Sequence, residues 1–205
     1  EALIGTNRQR FSGTSAIIFL GYGVGMGLIV NGGVYHGVTG AASEFGHMNH
    51  IPDGPLCRCG RKGCIEAFAA DYAIVRFARG TDVAEAPLRS RVPEEVMIAL
   101  EAEARGGEGE ARAAFDKAGE ALGYGIARMV ALINPEHVII SGPGTRAMAL
   151  IEPALRKAFA AGLVDELRRN VDIETIPAGD DMIVRGGIED ALHHHGVHEA
   201  HHPQV

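Results

Sequence analysis

Short apolar runs alternate with glycine-rich turns in the first part of the chain and recur after residue 136. Residues 15–20 (SAIIFL), 28–30 (LIV) and 137–141 (HVIIS) have the length and composition of buried strands. Residues 171–176 alternate apolar and polar side chains, which predicts a half-buried strand. Because Asn and Gly tolerate positive φ, the Asn-Gly-Gly sequence at 31–33 favours a hairpin turn. An antiparallel meander is therefore expected near the N-terminus.

Apolar residues recur at helical spacing in the middle of the chain and after the later strands. Thr145 is expected to cap the helix that follows residues 137–141, and Gly123 and Gly125 are expected to mark close packing of the longest helix. The predicted helices cover residues 65–79, 93–105, 109–133, 145–162 and 183–192. The order of strands and helices predicts a mixed α/β fold.

A segment rich in Gly, Pro and Cys, residues 40–63, has neither helical nor strand periodicity, so it needs stabilisation from outside an apolar core. Cys57, Cys59 and Cys64 lie within eight residues of one another, and with His47 they supply a Cys₃His set suited to Zn²⁺. Spacing alone allows His50 to replace His47. Four protein ligands leave no open position for an activated water, so the predicted zinc is structural.

Four glycines alternate with larger residues in the sequence GYGVGMG, and they leave bare backbone on one face where an anion or another segment fits. Gly21, Gly23 and Gly25 are the candidate phosphate-contacting positions. The run lacks the strand-to-helix setting of a dinucleotide fingerprint and the Lys of a P-loop. Nucleotide binding and a tight hairpin both remain open at this point.

Composition and charge narrow the classes of function. The chain has 205 residues, 46% hydrophobic and 22% charged, with a net charge of −7, which argues against this segment itself binding a nucleic-acid backbone. Its apolar runs are too short to cross a bilayer, no signal peptide begins it, and three clustered cysteines suit a reducing compartment, so a cytoplasmic location is expected. The first residues resemble the end of a helix, so the chain is expected to begin within a longer protein. Residues 193–205, with six histidines, are expected to be a disordered tail.

Three segments together resemble the ROK family of repressors, sugar kinases and uncharacterised proteins. They are GYGVGMGLIVNGGVYHG, GAASEFGHMNHIPDGPLCRCGRKGCIEAF and HVIISGPGTR, and the most specific part is an ExGH motif followed by CxCGxxGCxE. The resemblance implies an actin-like ATPase, ribonuclease-H-like fold, with residues 1–192 as the C-terminal sugar-binding subdomain and a zinc loop at 44–66. It also implies that His47 is the fourth zinc ligand and that Glu44, His47 and Glu66 contact sugar hydroxyls.

The resemblance covers both a regulator branch and a kinase branch. It implies that a kinase would take its catalytic Asp from outside this chain, so no catalytic residue is assigned here, and would use ATP and Mg²⁺. Family kinases usually have Thr where this chain has Tyr22 and a run of glycines where it has Pro143, and residues 184–187 also resemble the regulators.

These departures favour a regulator that binds a hexose or amino-sugar effector and contacts operator DNA through a preceding helix-turn-helix. The resemblance also implies a homodimer or homotetramer. An ATP-dependent sugar kinase is the alternative, and a zinc-stabilised interaction module without a ligand is a third hypothesis.

Overall fold

A five-stranded mixed sheet organises the chain. The computed structural model describes residues 7, 9–81, 90–177 and 182–194. The strands lie in the order β3-β2-β1-β4-β5, in which β1 is antiparallel to β2 and parallel to β4. β2 and β3 are antiparallel, and β4 and β5 are parallel. The strands are β1 (Ser15–Leu20), β2 (Val24–Val30), β3 (Gly33–Val34), β4 (His137–Ser141) and β5 (Asp172–Thr175).

Helices follow the meander and the two parallel strands, as the mixed α/β prediction requires. Short 3-10 helices occupy Phe45–His47 and Pro143–Ala147. The α-helices are α1 (Glu66–Ala69), α2 (Asp71–Ala78), α3 (Glu94–Arg105), α4 (Glu110–Ile133), α5 (Met148–Gly162), α6 (Asp165–Asn170) and α7 (Met182–His194).

The glycine-rich run is shorter as a turn than the sequence indicates. The strand β2 begins at Val24, so Gly25 and Gly27 lie within a strand and only residues 21–23 form the turn. The two glycines pair with Phe19 and Ile17 across the β1–β2 ladder. The prediction that the second strand starts at Leu28 is therefore wrong, because backbone pairing with β1 extends back to Val24 through two glycines that add no apolar side chain to the pattern.

Two helix predictions also need correction, and one helix was missed. The helix predicted at 65–79 is two helices separated at Ala70, whose ψ is 156°. Thr145 does not cap α5, because it lies within a 3-10 turn and its hydroxyl donates to the carbonyl of Gly142. The helix α6 was not predicted at all.

The helical core packs through glycines on α4. A Cβ at Gly119 or Gly123 would overlap the backbone carbonyl of Ile151 or Leu155 on α5, so these glycines let the two helix backbones approach closely. A Cβ at Gly125 would overlap Ile65. The expectation of close packing at Gly123 and Gly125 is confirmed.

Within the described ranges, no helix is both long and apolar enough to cross a membrane. The predicted boundary at residue 192 falls inside α7, which extends to His194. Residues 195–205 of the predicted tail, and the first six residues, lie outside the described residues.

Candidate metal site and the adjoining groove

Backbone pairing folds the cysteine-rich loop onto itself. Isolated bridges join Asn49 to Cys64 and Leu56 to Lys62. The first bridge brings Cys64 next to the segment that carries His47. The second bridge, through Lys62, brings the segment that carries Cys64 next to the one that carries Cys57. The four predicted ligands therefore meet although they span 18 positions of the sequence.

The ligand atoms of His47, Cys57, Cys59 and Cys64 all lie within 4.8 Å of one another. The Sγ atoms of Cys59 and Cys64 are 3.7 Å apart, and Cys57 Sγ lies 3.8 Å from His47 Nδ1. In a tetrahedral site with Zn–S bonds of 2.3 Å, two sulfur ligands stand about 3.8 Å apart. The donor types and their spacing fit a tetrahedral thiolate–imidazole metal site, and His50 is not part of this cluster.

Two glycines explain how the loop reaches this shape. A Cβ at Gly46 would overlap the carbonyl of Val24, so the ExGH turn packs directly on the start of β2. Gly63 has a φ of +74°, and a Cβ there would overlap the carbonyl of Ile51. A larger residue at either position would have to displace backbone next to His47 or Cys64.

Burial and mutual proximity set the pKa values of the three thiols. Burial raises the pKa of Cys57, and burial together with the two neighbouring thiols raises that of Cys64 to about 12. Burial acts in the same direction on Cys59, but hydrogen bonds from the Arg61 backbone and from the other two thiols lower its pKa. A divalent cation bound among these groups would favour the thiolate form of all three.

Glu66 links the metal cluster to the glycine turn. It is the first residue of α1 and is 9% exposed. Its Oε2 accepts a hydrogen bond of 3.2 Å from the backbone N–H of Val24, and its Oε1 lies 3.6 Å from Cys57 Sγ and 3.5 Å from the hydroxyl of Tyr72. The Tyr72 hydroxyl also faces Cys57 Sγ at 3.7 Å, and burial raises the pKa of this phenol. Glu66 is thus a buried, oriented carboxylate.

A groove of about 360 Å³ opens beside Glu66 at the carboxyl end of β1. Its other lining residues come from the glycine turn and the adjoining strand ends: Phe19, Tyr22, Gly23, Val24 and Gly25. Gly21 is not among them, and a Cβ at Gly21 would stand 2.8 Å from Cγ of Pro143. Two of the three predicted phosphate-contacting glycines therefore border the groove.

Glu44 lies on the open side of the cluster. Its side chain is 65% exposed, and its Oε2 is 3.8 Å from His47 Nε2. Since Nδ1 of His47 faces the cysteines, Nε2 points away from them towards Glu44. The three predicted sugar-contacting residues, Glu44, His47 and Glu66, are therefore all placed around the metal cluster.

Arginines attach the loop to its surroundings. Arg76 donates to the carbonyl of Leu56 at 3.0 Å, and Arg128 donates to that of Asn49 at 3.0 Å. Arg58, between Cys57 and Cys59, donates through its guanidinium to the carbonyls of Tyr22 and Ser90. Sequence reasoning missed these contacts, since the partners are distant along the chain.

His50 has a packing role. Its ring lies edge-on to Phe68 at 4.9 Å and stacks on Tyr124 at 6.0 Å. Burial lowers its pKa, the charge of Arg128 lowers it further, and Glu120 acts in the opposite direction. Within the described part of the chain, its buried Nδ1 has no hydrogen-bond partner.

A second cavity, also of about 360 Å³, lies where β1 and β4 end. Apolar residues such as Leu20, Met97 and Ile151 line it together with charged groups. Glu101 is 2% exposed and accepts a 2.8 Å bond from Arg146, which also pairs with Glu94. Burial raises the pKa of Asp71, another lining residue, while Arg146, Arg91 and Arg58 oppose the rise.

Comparison with known proteins places these features in a family. A sequence profile described as "ROK family" matches residues 4–192. The chain is 30% identical over 177 residues to a glucokinase of Halalkalibacterium halodurans, covering 83% of this chain and 54% of the relative. It is also 30% identical over 161 residues to the DNA-binding transcriptional dual regulator NagC of Escherichia coli, covering 78% of this chain and 39% of that protein.

Solved structures similar to the chain also include both a regulator and a kinase. A ROK family transcriptional regulator, a homologue of the E. coli MLC protein, has a TM-score of 0.74 at 24% identity, over 93% of this chain and 49% of that one. A ROK family glucokinase from Streptomyces griseus, in complex with glucose and AMPPNP, has a TM-score of 0.66 at 26% identity, over 86% of this chain and 59% of that one. The chain thus spans about half the length of relatives in both branches.

Proposed function

The chain belongs to the ROK family and has its actin-like ATPase fold, and we propose that it forms the sugar-sensing effector domain of a transcriptional regulator. In this proposal the effector is a hexose or an amino sugar, bound beside a structural Zn²⁺. The observation that carries the sugar site is the oriented carboxylate of Glu66 beside the metal cluster.

Zinc is the proposed metal because three thiols and one imidazole match its preferred ligands and a four-ligand shell is closed. A closed shell gives the ion a structural task. It would hold residues 47–64 in the form that places Glu44 and Glu66 on the same side of the loop.

The same geometry supplies sugar-binding groups. If Nδ1 of His47 binds the metal, Nε2 would carry the proton and could donate to a hydroxyl. The carboxylates of Glu44 and Glu66 can accept hydrogen bonds from sugar hydroxyls, and such charge-assisted bonds are strong. A neutral polyol fits a pocket of this kind better than an anion does.

The glycine turn supports sensing over phosphoryl transfer. Pro143 packs on Gly21, and Glu66 Oε2 lies 3.1 Å from where a Cβ of Gly23 would stand. A phosphate at this turn would lie near a carboxylate, and like charges repel at short range. The exposed Tyr22 takes the position where the resemblance expects a phosphate-binding Thr.

As a regulator, the intact protein would bind operator DNA through a segment outside this chain. NagC, one of the relatives, is named as a DNA-binding regulator. A sugar shifts operator affinity only if it binds the DNA-competent and DNA-free states unequally. The pocket around Glu66 would therefore change shape between those two states.

The second candidate is an ATP-dependent sugar kinase, and the cavity at the ends of β1 and β4 favours it. In open α/β sheets, ligands bind outside the carboxyl ends of the strands. An adenosine group would have to fit among Leu20, Met97 and the Arg146–Glu101 pair. Magnesium and a general base from outside this chain would also be needed.

Calorimetry and a coupled assay on the intact protein separate these functions. Glucose and N-acetylglucosamine are titrated into the zinc-loaded protein, and ATP consumption is measured with each sugar. We expect sugar binding without ATP consumption. Glu66→Gln should weaken binding at least 10-fold, while Glu108→Gln, which changes an exposed acid in the loop before α4, should not.

Sugar-dependent ATP consumption would overturn the regulator in favour of the kinase. A screen of hexoses and N-acetylhexosamines without any binding would favour the third hypothesis, an interaction module stabilised by zinc. Full sugar binding by Cys59→Ala would remove the proposed link between zinc and the pocket.

A further inference from the structure

Arg58 lies between two of the predicted metal ligands, and its guanidinium bonds to main-chain carbonyls outside the loop. Nη1 donates to the carbonyl of Tyr22 at 2.9 Å, and Nη2 donates to the carbonyl of Ser90 at 3.1 Å. The guanidinium carbon stands 4.1 Å from the centre of the Tyr72 ring. One side chain therefore joins the metal loop, the glycine turn and the segment before α3.

Tyr22 is held on its other side as well. Arg91, next to Ser90 in the sequence, lies 5.1 Å from the centre of the Tyr22 ring, and Phe19 meets that ring edge-on at 5.6 Å. Tyr22 and Glu66 border the same groove. The position of Tyr22 thus decides how open the groove beside Glu66 is.

The backbone of Arg58 is set by its neighbours. Cys57 and Cys59 flank it, and the tight turn is closed by hydrogen bonds from Gly60 to the carbonyl of Cys57 and from Cys57 to that of Arg61. A metal bound to both thiolates would fix this turn, whereas a metal-free loop is constrained only by its hydrogen bonds and packing. The planar fork of Arg can bridge two carbonyls, which a single ammonium group does less well.

We propose that Arg58 is a positioning residue that makes the placement of Tyr22, and with it the form of the groove beside Glu66, depend on the metal. Metal occupancy fixes the turn at 57–59, the guanidinium then holds the Tyr22 carbonyl, and the glycine turn is ordered. This inference rests on the proposed function only in taking the groove as part of the sugar site.

Hydrogen–deuterium exchange of the intact protein tests the coupling without any sugar. Exchange is followed in peptides that cover residues 19–25, with zinc bound and after chelation, for the wild type, Arg58→Ala, Arg58→Lys and Arg61→Ala. Arg61 is the matched control, because it is an exposed arginine of the same loop. The zinc content of each variant is measured in parallel.

In the wild type, chelation should speed exchange in these peptides by about 5- to 10-fold, the value of one hydrogen bond. Arg58→Ala should exchange fast even with zinc bound, Arg58→Lys should be intermediate, and Arg61→Ala should match the wild type. The proposal is overturned if Arg58→Ala keeps the zinc-dependent protection, or if it loses zinc itself, since Arg58 would then act on the metal and not on the turn.

A sugar titration connects the coupling to binding. With zinc retained, Arg58→Ala should bind glucose or N-acetylglucosamine about 5-fold more weakly, and Arg61→Ala should bind as the wild type does. Unchanged affinity in Arg58→Ala would overturn the role at the groove. A wild type that binds no sugar would defeat the proposed function, while the exchange experiment would still decide the coupling.

Discussion

The α4–α5 pair and the cysteine-rich loop are stabilised by different means. The helices bury apolar side chains such as Phe115, Leu122 and Ile126 completely and approach each other through Gly119 and Gly123. The loop at residues 44–64 buries few large apolar side chains and depends on its ligand cluster, on short bridges and on arginine-to-carbonyl hydrogen bonds. The helical region should therefore be insensitive to metal and pH, and the loop should respond to both.

Adding one carbon to the helix interface tests the first half of this comparison. Gly123→Ala should lower the free energy of unfolding by about 3 kcal/mol, because the new Cβ overlaps the carbonyl of Leu155 and cannot be accommodated without moving a helix. Denaturant unfolding measures the change. Gly27→Ala is the matched control, because a Cβ at Gly27 meets nothing within 4 Å. It should change stability by less than about 0.5 kcal/mol, and an equal loss in both variants would contradict the interpretation.

Removing a metal-binding residue tests the expectation that the cysteine-rich loop depends on the metal. Cys64→Ser should weaken zinc binding by roughly 100-fold or more, since even groups that only support a ligand are worth 10- to 100-fold. Competition with a chromogenic chelator measures the affinity. Exchange should rise in the loop at residues 44–64, while α4 and α5 stay protected.

Lys62→Ala is the control for the ligand experiment. It changes an exposed side chain of the same loop and keeps the backbone carbonyl that accepts from Asn49. Zinc affinity should stay at the wild-type value. Equal loss of protection in the loop and in α4–α5 after Cys64→Ser would show that the two regions are not independent.

The smallest effect is expected from pH at His50, where the loop meets α4. Burial keeps the pKa of His50 below its ordinary value of 6.5, so the unfolded chain takes up a proton at a higher pH than the folded chain does. Stability should therefore fall as pH falls from about 6.5 towards the folded pKa. His50→Phe keeps a ring against Phe68 and Tyr124 but cannot titrate.

Unfolding curves between pH 7 and pH 5, at a fixed zinc concentration, compare the two proteins. The wild type should lose more stability than His50→Phe over this interval. Because acid also protonates the cysteine ligands, only the difference between the two proteins bears on His50. Parallel curves would contradict the assignment.

The sequence predicts those parts of the fold that depend on local patterns. The strands at 15–20 and 137–141 were predicted correctly because each is a short apolar run between turn residues. The split of the predicted helix at Ala70 has no local cause, since Ala favours helices. It accompanies a tertiary contact, in which the Asp71 N–H donates to the carbonyl of Gly21.

The candidate site, like the fold, was predicted only where it depends on the local sequence. Residue type and spacing predicted the three cysteine ligands and left His47 and His50 as alternatives, between which only the family resemblance chose. The part played by Tyr72 was not predicted, because only the fold brings its hydroxyl to Cys57 and Glu66. The bond from Arg58 to Tyr22 crosses 36 positions and leaves no trace in the sequence pattern.

The hydrogen bonds that attach the loop have an evolutionary consequence. Arg58, Arg76 and Arg128 donate to main-chain oxygens of Tyr22, Leu56 and Asn49, and every amino acid carries that oxygen. Substitution on the acceptor side leaves each bond available, whereas substitution of the arginine removes it. Mutational tolerance is therefore one-sided. The acceptor positions, including Tyr22 at the groove, can diversify while the scaffold that holds them stays the same.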